Sequence, residues 1–248
     1  MRSTRRNAFT LVELLVVIGI IAVLVSILLP SLNRARQSAQ ATKCLAQAGQ
    51  LCLANQQYLN ENKGFLPNPN WDNGDPQPAK YKVGWLYTTP LQKPTTDIHL
   101  VNTGSFWPYL KNYDVYHCPI HDKNSSPQFG QHNTDTLTSY LMNGAVISPN
   151  VLGYHKINEF KPDDALFWEA DERGGSAWND GSSRPGESFN LNDPTSNGLT
   201  ARHGKVAVLG IMDGHAEWIS HAEYGVLVQQ SFRNRLWCNP MDPNGHAY

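Results

Sequence analysis

The chain has 248 residues and four cysteines, with 20 Lys+Arg set against 21 Asp+Glu for a formal net charge of −1. That balance provides no basic surface for nucleic acid. The cysteines, at 44, 52, 118 and 238, lack the paired C-x-x-C spacing of a structural zinc site, and the length is enough to bury a core without staples.

Residues 1–8 carry Arg2, Arg5 and Arg6, which fits a basic cytoplasmic leader. Residues 9–29 follow as a run of 21 with a single charge, Glu13. At ~1.5 Å per residue this run is ~30 Å long as a helix, the thickness of a bilayer's hydrocarbon core. It is too long for the apolar core of a secretory signal, and no small-residue cleavage site follows it. On these grounds the segment is a signal anchor with its N-terminus in the cytoplasm. Arg34, Arg36 and Lys43 beyond the far end blunt the charge asymmetry. An ionisable group at membrane depth is costly, so Glu13 needs a functional partner.

The string Ala8-Phe9-Thr10-Leu11-Val12-Glu13-Leu14 resembles the class III signal of type IV pilins and type II secretion pseudopilins. The resemblance implies that a prepilin peptidase cuts between Ala8 and Phe9 and then N-methylates Phe9. Ala8 stands where that family normally has Gly. Glu13 becomes the fifth residue of the mature chain. Its implied role is to pair with the new amino group of Phe9 on a neighbouring subunit, which neutralises two charges and sets the register of assembly. Head-to-tail contacts that do not close build filaments.

Pro30 is expected to kink the helix. Beyond it Leu32, Ala35, Ala39, Thr42, Ala46, Gly49 and Leu53 recur at helical steps. Leu45, Ala48, Leu51, Cys52, Leu53, Tyr58 and Leu59 thicken the stripe. The expectation is one helix over about 9–59, stopped near Gly64 and Pro67. The chain then divides into a leader (1–8), a membrane part (9–29), an extramembrane helix (30–60) and a globular domain (61–248). Cys44 and Cys52 lie ~12 Å apart along the helix, too far to bond to each other. Either can reach Cys118 or Cys238 in an oxidising compartment, Cys118–Cys238 is another pairing, and free thiols are equally open.

Prolines, glycines and asparagines dominate residues 65–103, and residues 68–76 read as loop. Within them Asp72 and Asp75 offer ligands to a calcium ion, but the spacing is not that of an EF-hand and turn chemistry is preferred. Residues 105–110 and 115–118 read as short aromatic-rich elements. His117, Cys118, His121 and Asp122 are metal-ligand or nucleophile types. In a strand, however, His117 and Cys118 would face opposite ways, so neither a metal ligand nor a catalytic residue is assigned. Residues 139–144 read as a strand running into an Asn-Gly turn. Residues 165–172 read as a buried strand whose exit acids are solvated or cap a turn. Glycosidase-like use of those acids, with Trp178 stacking on a sugar, is the disfavoured alternative. Residues 174–197 read as an exposed polar loop.

Two β-rich runs flank Asp213-Gly214, a strong hairpin signal. His203, nine residues and then Asp213-Gly214 match the H-x9-D-G pattern, and so resemble a family of pilin-like proteins whose C-terminal region is named for it. Read as chemistry, the pattern is not a catalytic pair, because an extended strand separates its ends by ~30 Å. Asp213 belongs to the turn, and His203 is expected to bond backbone where the hairpin starts.

The fold class expected is α+β, a long N-terminal helix packed against a C-terminal domain with an antiparallel sheet. The resemblance implies a pilin- or pseudopilin-like structural subunit of the bacterial inner membrane, not an enzyme, with its domain periplasmic or at the cell surface. Its partners would be the prepilin peptidase, a pilus or type II secretion assembly platform, and copies of itself or related pseudopilins. The alternative is an anchored glycan-binding module using Trp71, Trp85, Trp107, Trp168 and Trp178.

Overall fold

The computed structural model describes residues 11–70, 83–88, 97–121, 135–148, 153–171, 181–186 and 198–246. By its contacts the chain falls into two units, Met1–Ala41 and Thr42–Tyr248. Helix α1 (Leu11–Glu61) contributes to both and stays helical through Pro30. It ends as a Schellman motif. Lys63 takes a left-handed φ of 57°, and the Gly64 N–H donates back to the Leu59 carbonyl at 2.8 Å.

Within the second unit, α1 buries Cys44, Gln47, Ala48, Leu51, Cys52, Ala54, Asn55 and Leu59. These recur at three and four residues, one helical face. Leu53, expected in the stripe, is 56% exposed, because it lies on the opposite face from Cys44 and Leu51.

The face packs on a five-stranded sheet of order β5-β1-β4-β6-β7, built from β1 (Leu141–Asn143), β4 (Ala165–Trp168), β5 (Ser182–Ser183), β6 (Val206–Ile211) and β7 (Ala216–Ser220). A separate antiparallel pair joins β2 (Ile147–Ser148) to β3 (Gly153–Tyr154). The main sheet is antiparallel as expected except at one edge, where β5 runs parallel to β1, so it is mixed. β6 and β7 form the hairpin announced by Asp213-Gly214, paired from Val206↔Ser220 to Gly210↔Ala216. Gly214 at φ 107° makes the turn.

Alternation along β6 divides the core. Val208 faces α1 with Met142, Leu166, Phe167 and the buried rings of Trp85, Phe106, Tyr116 and Tyr140. Ala207, Leu209 and Ile211 face the other way, onto Trp168, Ile219, Leu236 and Tyr224 of α3 (His221–Val228). Leu166 and Phe167 share a face because the β4–β6 register shifts between Ala165 and Phe167. Gly210 brings α1 close, since a Cβ there would stand 2.7 Å from Cys52 Sγ.

One loop expectation is corrected. Gly181, Ser182 and Ser183 are buried, not exposed, because the Trp85 indole donates to the Gly181 carbonyl at 2.8 Å and draws this edge into the core. Asn70, within the expected loop, is fully buried. Its side chain donates to the Tyr87 carbonyl at 2.8 Å and accepts from the Leu86 N–H at 3.0 Å. The two expected aromatic elements are short helical turns, α2 (Trp107–Leu110) and a 3-10 turn at Tyr113–Tyr116.

Candidate functional site

Two features stand out, an apolar surface on α1 and a charged cluster inside the domain. Residues 11–29 of α1 are exposed throughout. Among the described residues this is one helix long and apolar enough to cross a membrane. Its hydroxyls suit hydrocarbon, because Ser26 donates to the Val23 carbonyl at 2.7 Å and Ser31 to the Leu28 carbonyl at 2.8 Å. Polar groups at bilayer depth must be satisfied from within in this way. Glu13 sits in the first turn. Ala8 and Phe9 lie outside the described residues, as do Trp71, Asp72, Asp75 and Trp178.

The cluster begins at the exit of β4. Glu169 is fully buried, which overturns the expectation of a solvated or turn-capping acid. One carboxylate oxygen, Oε2, accepts from the Val208 N–H at 2.9 Å and lies 3.4 Å from His203 Nε2. The other, Oε1, lies 3.5 Å from the Arg202 guanidinium. Burial alone would raise the Glu169 carboxyl. The His203 hydrogen bond and the Arg202 charge outweigh it and hold the group below its ordinary value. Arg202 also donates to the Ser139 carbonyl at 3.3 Å. The His203 side chain is 2% exposed and stands edge-on to Trp218 with ring centroids 5.2 Å apart. His203 therefore engages a buried carboxylate rather than backbone at the start of the hairpin. The lead-in to β6 folds inward across the β4 exit.

Beside His203 lies a disulfide, Cys44–Cys118, with Cα atoms 5.0 Å apart. It is one of the pairings left open by the sequence. Cys52 and Cys238 are buried free thiols, the Cys52 thiol pushed up to about 12 mainly by burial. Cys118 Sγ is 3.5 Å from His203 Nε2. His117, next in the chain, turns away to the Thr136 carbonyl at 2.7 Å, and burial holds its imidazole down at about 4. His121 meets the Ser139 hydroxyl at 3.0 Å and is likewise pushed down by burial.

The H-x9-D-G residues thus separate into two structural settings. Asp213 caps the hairpin turn, its carboxylate accepting from the His215 N–H at 3.1 Å, and Gly214 supplies the positive φ. His203 belongs to the buried cluster. No spacing pattern links Glu169 with Arg202 and His203, which lie 33 or more residues further along the chain in the lead-in to β6. The one hint lay beside Glu169, where Trp168 and Ala170 are both apolar and both buried.

The model of a prokaryotic N-terminal methylation motif matches residues 3–29. That is the segment whose described part is the exposed apolar stretch of α1. No curated protein and no solved structure matches the chain.

Proposed function

We propose that this chain is a pilin- or pseudopilin-like structural subunit, held in the inner membrane by residues 9–29 and assembled through α1. A prepilin peptidase cuts between Ala8 and Phe9 and methylates the new Phe9 terminus. Glu13 then pairs with that terminus on a neighbouring subunit, so that two charges enter the hydrocarbon as one neutral pair. The observation that carries the reading is a coincidence of place. The described part of the methylation motif, residues 11–29, is helix surface that is exposed throughout. An exposed apolar face of this length in a water-soluble chain would be an aggregation site, whereas in a bilayer and then in a filament it is always covered.

The disulfide supports an extracytoplasmic domain, because such bonds persist in oxidising compartments. The partners of this reading are the prepilin peptidase, an assembly platform of pilus or type II secretion type, and copies of the chain or related pseudopilins. The glycan-binding alternative loses two of its tryptophans to the core, since Trp85 and Trp168 are buried.

Mass spectrometry of the N-terminus of the chain isolated from its native host tests the proposal. The expected product begins at Phe9 and carries one added methyl group. A mature chain that still begins at Met1 would overturn it.

A further inference from the structure

The disulfide occupies a position where four metal-ligand types converge. The ligand atoms of Cys44, Cys118, Glu169 and His203 all lie within 4.8 Å of one another. They arrive from four separate places: α1, the turn after Tyr116, the exit of β4 and the lead-in to β6. A tetrahedral zinc ion with thiolate at ~2.3 Å and imidazole or carboxylate at ~2.0–2.1 Å spaces its ligands ~3.5 Å apart for sulfur to nitrogen and ~3.4 Å for nitrogen to oxygen. Cys118 Sγ is 3.5 Å from His203 Nε2, and that nitrogen is 3.4 Å from Glu169 Oε2. Two edges of the tetrahedron are therefore set already in the oxidised chain.

Charge favours the same ion. Two thiolates and the Glu169 carboxylate carry three negative charges. A divalent cation and Arg202, which faces the other oxygen of Glu169 at 3.5 Å, carry three positive ones. A buried site is tolerable when its charges sum to zero and each has a partner. The mixed sulfur, nitrogen and oxygen donors suit zinc better than the hard cations calcium or magnesium. The site is also dry, as the Arg202, His203 and Glu169 side chains are 3%, 2% and 0% exposed.

We propose that the reduced chain binds one zinc-class divalent ion through Cys44, Cys118, His203 and Glu169, and that the ion and the disulfide exclude each other. Binding replaces two S–H protons with two metal–sulfur bonds and releases both protons. Oxidation by a disulfide donor then moves two electrons from the two thiolate sulfurs to the donor, which takes up two protons and leaves as two thiols. The Cys44–Cys118 bond forms and the ion departs as the free dication. The newly made chain holds both cysteines as thiols, so no reductant is needed to reach the metal-binding form. This inference does not depend on assembly or on cleavage at Ala8–Phe9.

The test uses the full chain in detergent, reduced with a phosphine, stripped with a chelator and titrated anaerobically with Co2+. The expected result is one Co2+ per chain, with a thiolate-to-cobalt absorption band and tetrahedral d–d bands that Zn2+ abolishes. The oxidised chain and Cys118→Ser give no such band. His203→Ala weakens binding by at least about 10-fold, the loss that even outer-shell changes cause. A second measurement needs no variant: Zn2+ should slow alkylation of Cys44 and Cys118 in the reduced wild type, mapped by peptide mass spectrometry. Absence of the band in the reduced wild type, a band that survives Cys118→Ser, or alkylation unchanged by Zn2+ overturns the proposal.

Discussion

Removing the Cys44–Cys118 bond should cost the domain about 4 kcal/mol. The bond closes a loop with a sequence separation of 74, and the chain-entropy relation for a loop of that size gives about 4.4 kcal/mol at 25 °C. The native state offers little strain to set against this, since the Cα separation of 5.0 Å lies within the ordinary range for disulfides. Both ends are also held independently. Cys44 and Cys118 are 0% and 1% exposed, the Tyr140 hydroxyl donates to the Cys44 carbonyl at 3.0 Å, and the Cys118 N–H donates to the Ser139 hydroxyl at 2.8 Å. The folded geometry should therefore survive without the bond, and the loss should fall on the unfolded state. The assay compares thermal and urea unfolding of the full chain in detergent, oxidised against Cys44→Ala/Cys118→Ala. A chelator is present so that no metal intervenes. For a domain of this size about 4 kcal/mol corresponds to a melting temperature lower by roughly 8–16 °C. A shift under about 1 kcal/mol would refute the entropic argument. It would mean that the unfolded chain already keeps these two segments close.

Three further outcomes are expected. Gly210→Ala places a methyl 2.7 Å from Cys52 Sγ and 3.3 Å from Phe167 Cβ, so it should destabilise by about 1–3 kcal/mol, the usual cost of overpacking. Cys52→Ala in the same chain should recover part of that loss in a double-mutant cycle, and strict additivity would refute the close approach as its cause. Glu13→Ala should insert into the membrane as well as the parent or better, because it removes a charge that is costly at bilayer depth, yet fail to enter filaments. Filaments containing the variant at parental yield would sink the charge-pairing role. Asp164 is 1% exposed, and burial pushes its carboxyl from 3.8 up to about 6 despite the Lys161 N–H and Arg233. A raised folded value means stability that is complete below pH 3.8 and lost as pH rises through 6. Relative to Asp164→Asn, the parent should therefore gain on the order of 2 kcal/mol between about pH 7 and pH 4, and a pH-independent difference in urea unfolding would contradict this.

The parts legible in the sequence are those whose physics is local. A 3.6-residue period, a bilayer-length apolar run and an Asp-Gly turn each act between near neighbours, so α1 and the β6–β7 hairpin could be placed before any contact was known. The β5 edge could not. Ser182 and Ser183 carry no apolar signal, and they are buried because Trp85 and Asn70, far away in the chain, close over Gly181. The inner site was hidden for the same reason. Cys118 and His203 meet across 85 residues, and Glu169 and Val208 across 39. No spacing rule reaches that far without the fold. The acids after β4 read as solvated because strand ends usually are, and the rule fails at Glu169, where Arg202 and His203 supply the compensating charge.

Cys44 is the first buried residue of α1. From Cys44 onward the helix is part of the domain's core. In the proposed subunit, force applied through α1 during extraction from the bilayer would enter the domain at this residue. Non-covalent packing of a helix face would resist that load by side-chain contacts that open one at a time. The bond to Cys118 instead joins the helix to the turn after Tyr116, which backs onto the Glu169–Arg202–His203 cluster and hence onto β4 and β6. In a subunit so loaded, the covalent link would keep the start of the buried helix face on the turn after Tyr116 where packing alone could open.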